Sequence, residues 1–296
     1  MRMNWRLILG CLATSLVLLS ACDDGAVVGG IGSSPGASGV PNTGSSGNDT
    51  TAPSTVALPA GVPEGAELGE VTDWYGAPAV TYATFEVDGK TVKEFGTILS
   101  LASLSNIPPG AFASYQWFKV PPSVAEQTFI KSYQIDFMPM GHPPAKVYDV
   151  PHVETHTFSW TVEEMSKLTC REANDNQLPP AEFIPAGVWN FDPMPGVPNC
   201  LPQMGVHGFD VNAPELNGAR FTQSLSVLVA RGEFMSYEPK STVEELQKRK
   251  DFSIALPQPK KLSKTSRLPT LYVGTYLPLI DAYRIVYTNF VTLGPG

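Results

Sequence analysis

His152-Val153-Glu154-Thr155-His156 is the segment of this chain whose residue types and spacing could do chemistry. Two imidazoles and a carboxylate recur at every second position. In an extended strand successive side chains alternate between faces. His152, Glu154 and His156 would therefore share one side, an arrangement suited to a divalent transition metal, zinc first among them. The chain has four histidines, and the other two extend the candidate ligand set. His207 is a distant fourth metal ligand. His142 lies ten residues before His152, beyond the turn-forming Pro143-Pro144, and could fold back as an additional ligand. Asp149, Asp210 and Glu238 are candidates to add a ligand or to orient the imidazoles.

Two other readings fit the same residues. On a sheet with one wet face, His-x-Glu-x-His is a solvated polar stripe, with Val153 and Thr155 facing inward. A histidine–carboxylate network without metal, in a binding or assembly module, is the other. His207 alone reads more simply as a packed, hydrogen-bonded histidine. No nucleophile motif competes: the sequence has no Gly-x-Ser-x-Gly elbow, no phosphate-cradling glycine loop and no His-Glu-x-x-His. The paired carboxylates Glu163-Glu164 and Glu244-Glu245 fit the first turns of helices, where the dipole favours them. No general base and no catalytic residue can be assigned. A metal-dependent hydrolase or a cupin-like redox enzyme is the further alternative.

The elements that must position these residues read as strands. Val80–Val87 and Lys90–Phe95 flank Asp88-Gly89, a strong hairpin signal. Thr97–Leu104 fits a strand or a short helix. Tyr115–Val120, Thr128–Met138 and His152–Trp160 read as strands, as do Phe221–Ala230 and Gly232–Tyr237, turning near Arg231-Gly232. Tyr283–Leu293 closes the series. Thr161 with Glu164, and Thr242 with Glu245, form capping boxes that predict helices to about Leu168 and Lys250. Met140-Gly141-His142 and Met204-Gly205-Val206-His207 each precede strands followed by Thr-Val-Glu-Glu, a faint internal duplication. The predicted fold is mainly β, a sandwich or barrel-like and two-lobed if the duplication is real, with two short helices. The 28 prolines disfavour long helices.

The N-terminus sets the compartment. Arg2 and Arg6 precede an apolar run from Leu7 to Leu19, and Leu19-Ser20-Ala21-Cys22 follows. A basic start, a short apolar core and a small-residue cleavage site describe a signal peptide over residues 1–21. The run is too short for a comfortable membrane span, which needs about 20 apolar residues. Leu-Ser-Ala-Cys resembles the bacterial lipobox, which implies acylation of Cys22 and a lipid anchor in the cell envelope. Asp23 resembles an inner-membrane retention signal, though inner and outer membrane both stay open. Residues 22–65 are rich in Gly, Ser, Pro and Thr and cannot bury enough surface to offset chain entropy. They read as a flexible tether to a β-rich domain over 66–296, in the periplasm or outside the cell.

The chain carries a formal charge of −8, and losing Arg2 and Arg6 with the leader takes it to −10. Such an acidic domain is a poor partner for nucleic acid, which demands basic patches. Its expected partners are membrane lipid through Cys22 and a further copy or another envelope protein. Of the four cysteines, Cys11 leaves with the leader and Cys22 takes the lipid. Cys170 and Cys200 are then expected to form one disulfide in an oxidising envelope.

Gly141-His142-Pro143-Pro144, the stretch from Val147 to His152 and the following His156 resemble a bacterial envelope family of unknown function, the TTHB-type domain. Its signature runs Gly-His-x-Pro-Pro, then Tyr-Asp-x-Pro-His-Phe-Asp-x-His-Phe-Tyr. A later Met-Gly-x-His block with a downstream Asp is similar to Met204–His207 and Asp210. Phe221-Thr222, and Glu238-Pro239 with Thr242, match a further block. The likeness spans roughly Gln134–Leu246. Val153, Glu154 and Thr155 stand where the family has Phe, Asp and a bulky residue, and the aromatics shift to Phe158 and Trp160. The resemblance implies a β-rich fold with a recurring His/Asp cluster, which favours a metal.

Overall fold

The computed structural model of the chain describes residues 60–107, 114–196 and 198–295. The expected signal peptide, Cys22 and most of the tether, up to residue 59, lie outside the described residues. Among the described residues thirteen strands form, in chain order β1 (Glu67–Trp74), β2 (Ala77–Phe85), β3 (Val92–Ser100), β4 (Ser114–Phe118), β5 (Ser132–Met138), β6 (His152–Phe158), β7 (Trp189–Asn190), β8 (Val206–Asp210), β9 (Gln223–Ala230), β10 (Glu233–Thr242), β11 (Phe252–Ala255), β12 (Ser266–Leu277) and β13 (Ala282–Leu293). They make two antiparallel sheets, ordered β1-β2-β3-β13-β12-β11 and β4-β5-β6-β10-β9-β8-β7.

Local chemistry explains the turns. Asp88 Oδ1 accepts from the Lys90 and Thr91 N–H groups, each at 2.8 Å, and Gly89 takes φ +67°, so the Asp-Gly hairpin forms where expected. Arg231 and Gly232 both adopt positive φ between β9 and β10, as a two-residue hairpin of right-handed twist demands. Among the described residues four short α-helices form rather than two: α1 (Leu101–Ser105), α2 (Pro122–Gln127), α3 (Val162–Ser166) and α4 (Val243–Gln247). Thr161 and Glu164 make a complete capping box for α3. At α4 only half of the box forms. Thr242 accepts from Glu245 N–H, while the Glu245 carboxylate pairs with Lys248. The unexpected α1 follows β3 directly, so Thr97–Leu104 is strand and then helix.

The sheets pack face to face as a sandwich. One core joins Phe95, Tyr283 and Tyr287 of the first sheet to Tyr133, Ile135, Val153 and Tyr237 of the second. Phe95 and Tyr133 meet edge to face at 5.1 Å. Thr155 places its hydroxyl 2.8 Å from Tyr287 OH and 3.2 Å from Tyr272 OH. Val153 and Thr155 thus point between the sheets, and the alternate residues of β6 point to the outer face of the second sheet. That face is covered in turn. At one end Phe158, Leu228 and Met235 pack with Met165 and Leu168, and at the other Tyr148, Phe209 and Phe221 cluster. Cys170 and Cys200 are disulfide-bonded, pinning the 171–199 segment.

Candidate metal centre

Between these two apolar patches lies a buried polar row. Strand β5 contributes Asp136 and β6 contributes His152, Glu154 and His156. From β8 comes His207, and from β10 come Glu238 and Lys240. The registers align them: Asp136 lies opposite Glu154, and Glu154 opposite Lys240. His142 enters from the loop between β5 and β6. Gly141 has φ +68°, and a Cβ there would sit 2.1 Å from Tyr148 O, so only glycine permits this turn. The His142 N–H then donates to Tyr148 O at 2.9 Å. His152, His156 and Asp136 are fully buried, Glu154 is 3% exposed and Lys240 1%. A solvated stripe is therefore excluded.

The donor atoms gather in overlapping groups: His142–His152–Glu154, Asp136–Glu154–His156 and His156–His207–Glu238, each with its donors within 4.8 Å of one another. These groups could hold a metal ion. Among the described residues no such group contains both His152 and His156. Four residues of strand span about 13 Å, which one ion cannot bridge. The expected set of His152, Glu154, His156 and His207 is thus divided. His152 and Glu154 join His142, while His156 and His207 join Glu238. Asp149 is exposed, and Asp210 accepts from the Asn212 N–H. Neither belongs to these groups.

At the first group, Glu154 Oε1 lies 3.0 Å from His142 Nε2 and 3.2 Å from His152 Nε2. The opposite nitrogens are already spoken for. His142 Nδ1 sits 2.6 Å from Pro143 O, and His152 Nδ1 sits 2.7 Å from Val150 O. A carbonyl only accepts, so each Nδ1 must carry the proton. In a neutral imidazole the Nε2 lone pair then faces the carboxylate. Two such lone pairs and an anionic oxygen repel unless a proton on each ring, or one cation, lies between them. Donors about 2.0–2.1 Å from a tetrahedral zinc stand ~3.3 Å apart, close to the spacing here. Backbone carbonyls holding Nδ1 are the usual means of aiming a ligating imidazole.

The second group is less satisfied. His156 Nε2 lies 3.1 Å and His207 Nε2 3.7 Å from Glu238 Oε1, and His156 Nδ1 lies 3.6 Å from Asp136 Oδ2. These approaches lack hydrogen-bond alignment. Both ring nitrogens of His156, His207 Nδ1 and both Asp136 oxygens are buried without a hydrogen-bond partner. Each such orphan costs about 1–3 kcal/mol.

Lys240 lies between the groups, its ammonium 2.6 Å from Glu238 Oε2, 3.5 Å from Glu154 Oε1 and 3.1 Å from Ser226 Oγ. Burial alone would neutralise these groups. The mutual attraction of ammonium and carboxylates outweighs it, holding both Glu carboxyls well below their ordinary range and Lys240 above its own. Asp136 goes the other way: burial, then the Glu154 and Glu238 charges, push its carboxyl well up. Asp136 and Lys240 were missed from the sequence. Asp136 had a signal, being polar on the face of Thr128–Met138 opposite Tyr133, Ile135 and Phe137. Solvent reaches the row at His142, whose side chain is 28% exposed. A surface cavity of about 670 Å³ lies elsewhere, lined by residues such as Lys131, Trp160 and Arg231 and by none of the metal donors. No protein-family model, curated protein or solved structure matches this chain.

Proposed function

We propose that this chain is a lipid-anchored protein of the bacterial cell envelope whose β-sandwich binds a divalent transition metal, zinc being the best fit. The observation that carries the reading is the convergence of His142 Nε2, His152 Nε2 and Glu154 Oε1, with both Nδ1 atoms committed to backbone carbonyls. Two imidazoles and one carboxylate suit zinc and its neighbours better than calcium or magnesium, which prefer all-oxygen shells. Bound there, the ion would supply Lewis acidity. The chain itself holds the imidazoles in one tautomer and keeps the carboxylates ionised beside Lys240. The anchor rests on the basic leader, the apolar run and Leu19-Ser20-Ala21-Cys22. The Gly/Ser/Pro tether would let the domain stand off by roughly 5–6 Å times the square root of its length.

Lys240 favours one rival reading. Its ammonium is an internal counter-ion for Glu154 and Glu238, so a metal-free polar network in an assembly module is the alternative. Elemental analysis of the purified full chain separates the two. Under the proposal the protein carries stoichiometric metal, and a His152→Ala/His156→Ala double variant, which removes a donor from every group, loses it. A metal-free protein whose unfolding is indifferent to chelator would establish the network instead.

A further inference from the structure

Extending the reading of a metal-binding protein, we infer that the chain holds one ion with two seats: an outer seat at His142, His152 and Glu154, where it enters, and an inner seat at His156, His207 and Glu238, where it is retained. The ligand class is a divalent transition cation in both.

Three observations carry this. First, the seats are contiguous. Donor atoms of Asp136, Glu154 and His156 also lie within 4.8 Å of one another, so the Glu154 carboxylate belongs to the outer seat and also borders the inner one. The Asp136–Glu154–His156 group therefore links the two seats along β6. Second, the seats differ in access. His142 is 28% exposed, whereas His156 is fully buried, Glu238 is 1% exposed and His207 9%. The inner seat also has the unpartnered atoms, namely both His156 nitrogens, His207 Nδ1 and the Asp136 carboxyl behind His156 Nδ1. A cation at His156 Nε2 would set its tautomer and give Nδ1–H the Asp136 oxygen to point at. Third, charge limits the occupancy. Asp136, Glu154 and Glu238 share the row with a single ammonium, Lys240, so its carboxyl groups can offset one divalent ion. A second would leave buried positive charge with no partner.

The test uses the full chain in detergent with zinc or cobalt as the probe. The unsubstituted chain is expected to bind one zinc ion and release it slowly to a chelator. One equivalent of cobalt should give a two-phase change in its visible absorption as the ion moves inward. Two ions per chain, or a single spectral phase, would overturn the inference, and neither result requires a variant. His207→Ala is expected still to bind one ion and to release it about 10–100-fold faster. His142→Ala should load more slowly and release no faster. Release unchanged in His207→Ala and Glu238→Gln removes the inner seat and leaves the proposed function standing. Metal indifferent to His142, His152 and Glu154 overturns that function too.

Discussion

Lys240 shows how charge works at the scale of one residue. A buried ammonium is tolerated because Glu154 and Glu238 flank it, and they are tolerated because of it. Replacing Lys240 with Met removes the shared counter-charge and leaves two buried carboxylates. The metal-free variant is expected to lose about 3–5 kcal/mol of stability, the usual cost of breaking such a pair. A bound cation stands in for the ammonium, so metal should restore most of that loss and bind the variant more tightly. Denaturant unfolding with and without zinc would check this. An equal loss in both would mean that the ammonium and the ion do not share the same carboxylates. The histidine tautomers belong to this scale as well. His-x-Glu-x-His was legible as a one-sided set, but the carbonyls of Pro143 and Val150 that fix its protons were not.

Between elements, Arg231 ties the β9–β10 turn to the segment after α3. Its Nε donates to Asp175 Oδ1 at 2.9 Å and its NH2 donates to Lys167 O at 2.9 Å. Burial pushes the Asp175 carboxyl up, but Arg231 and the Glu172 N–H outweigh it and hold it below the ordinary range. A depressed folded pKa stabilises the fold above the unfolded value, and that stability is lost as pH falls through the folded one. Asp175→Asn is therefore expected to cost about 1–3 kcal/mol near neutral pH. The gap from the parent protein should close in acid, below the folded pKa. Thermal unfolding of both forms across that range is the measurement, and a gap that persists or widens in acid would contradict the assignment. Elements with their own turn and cap chemistry, such as the Asp88-Gly89 hairpin and α3, were readable from the sequence. Strand β12 was not, since Pro269, Gly274 and uneven polarity break its alternation, and its pairing with β13 supplies the order.

For the whole molecule, the acidic surface and the sandwich leave location to the N-terminus. Among the described residues no helix is long and apolar enough to cross a membrane. Acyl chains on Cys22 would contribute about 0.8 kcal/mol per buried methylene, enough for a stable anchor when several chains are present. The full chain is expected to take up labelled fatty acid and sediment with membranes. Cys22→Ser should lose both properties while its metal content stays unchanged, because the sandwich holds every proposed ligand. Label retained in Cys22→Ser would end the anchor reading.

Sequence by itself determined what depends on near neighbours. The hairpin turns, the Thr161 cap and the shared face of His152, Glu154 and His156 all follow from rules acting within a few residues. Only the tertiary structure decided which donors meet. Strand geometry sets His152 and His156 about 13 Å apart. Sheet order then sets β5 and β10 beside β6, with β8 further along the same face, adding Asp136, Glu238 and Lys240 to the row and grouping His142 and His152 on Glu154 and His156 and His207 on Glu238. Burial of the row was likewise invisible in the sequence. The loops and helix that cover the outer face come from segments scattered between Met138 and Phe221, and no local pattern records what they cover.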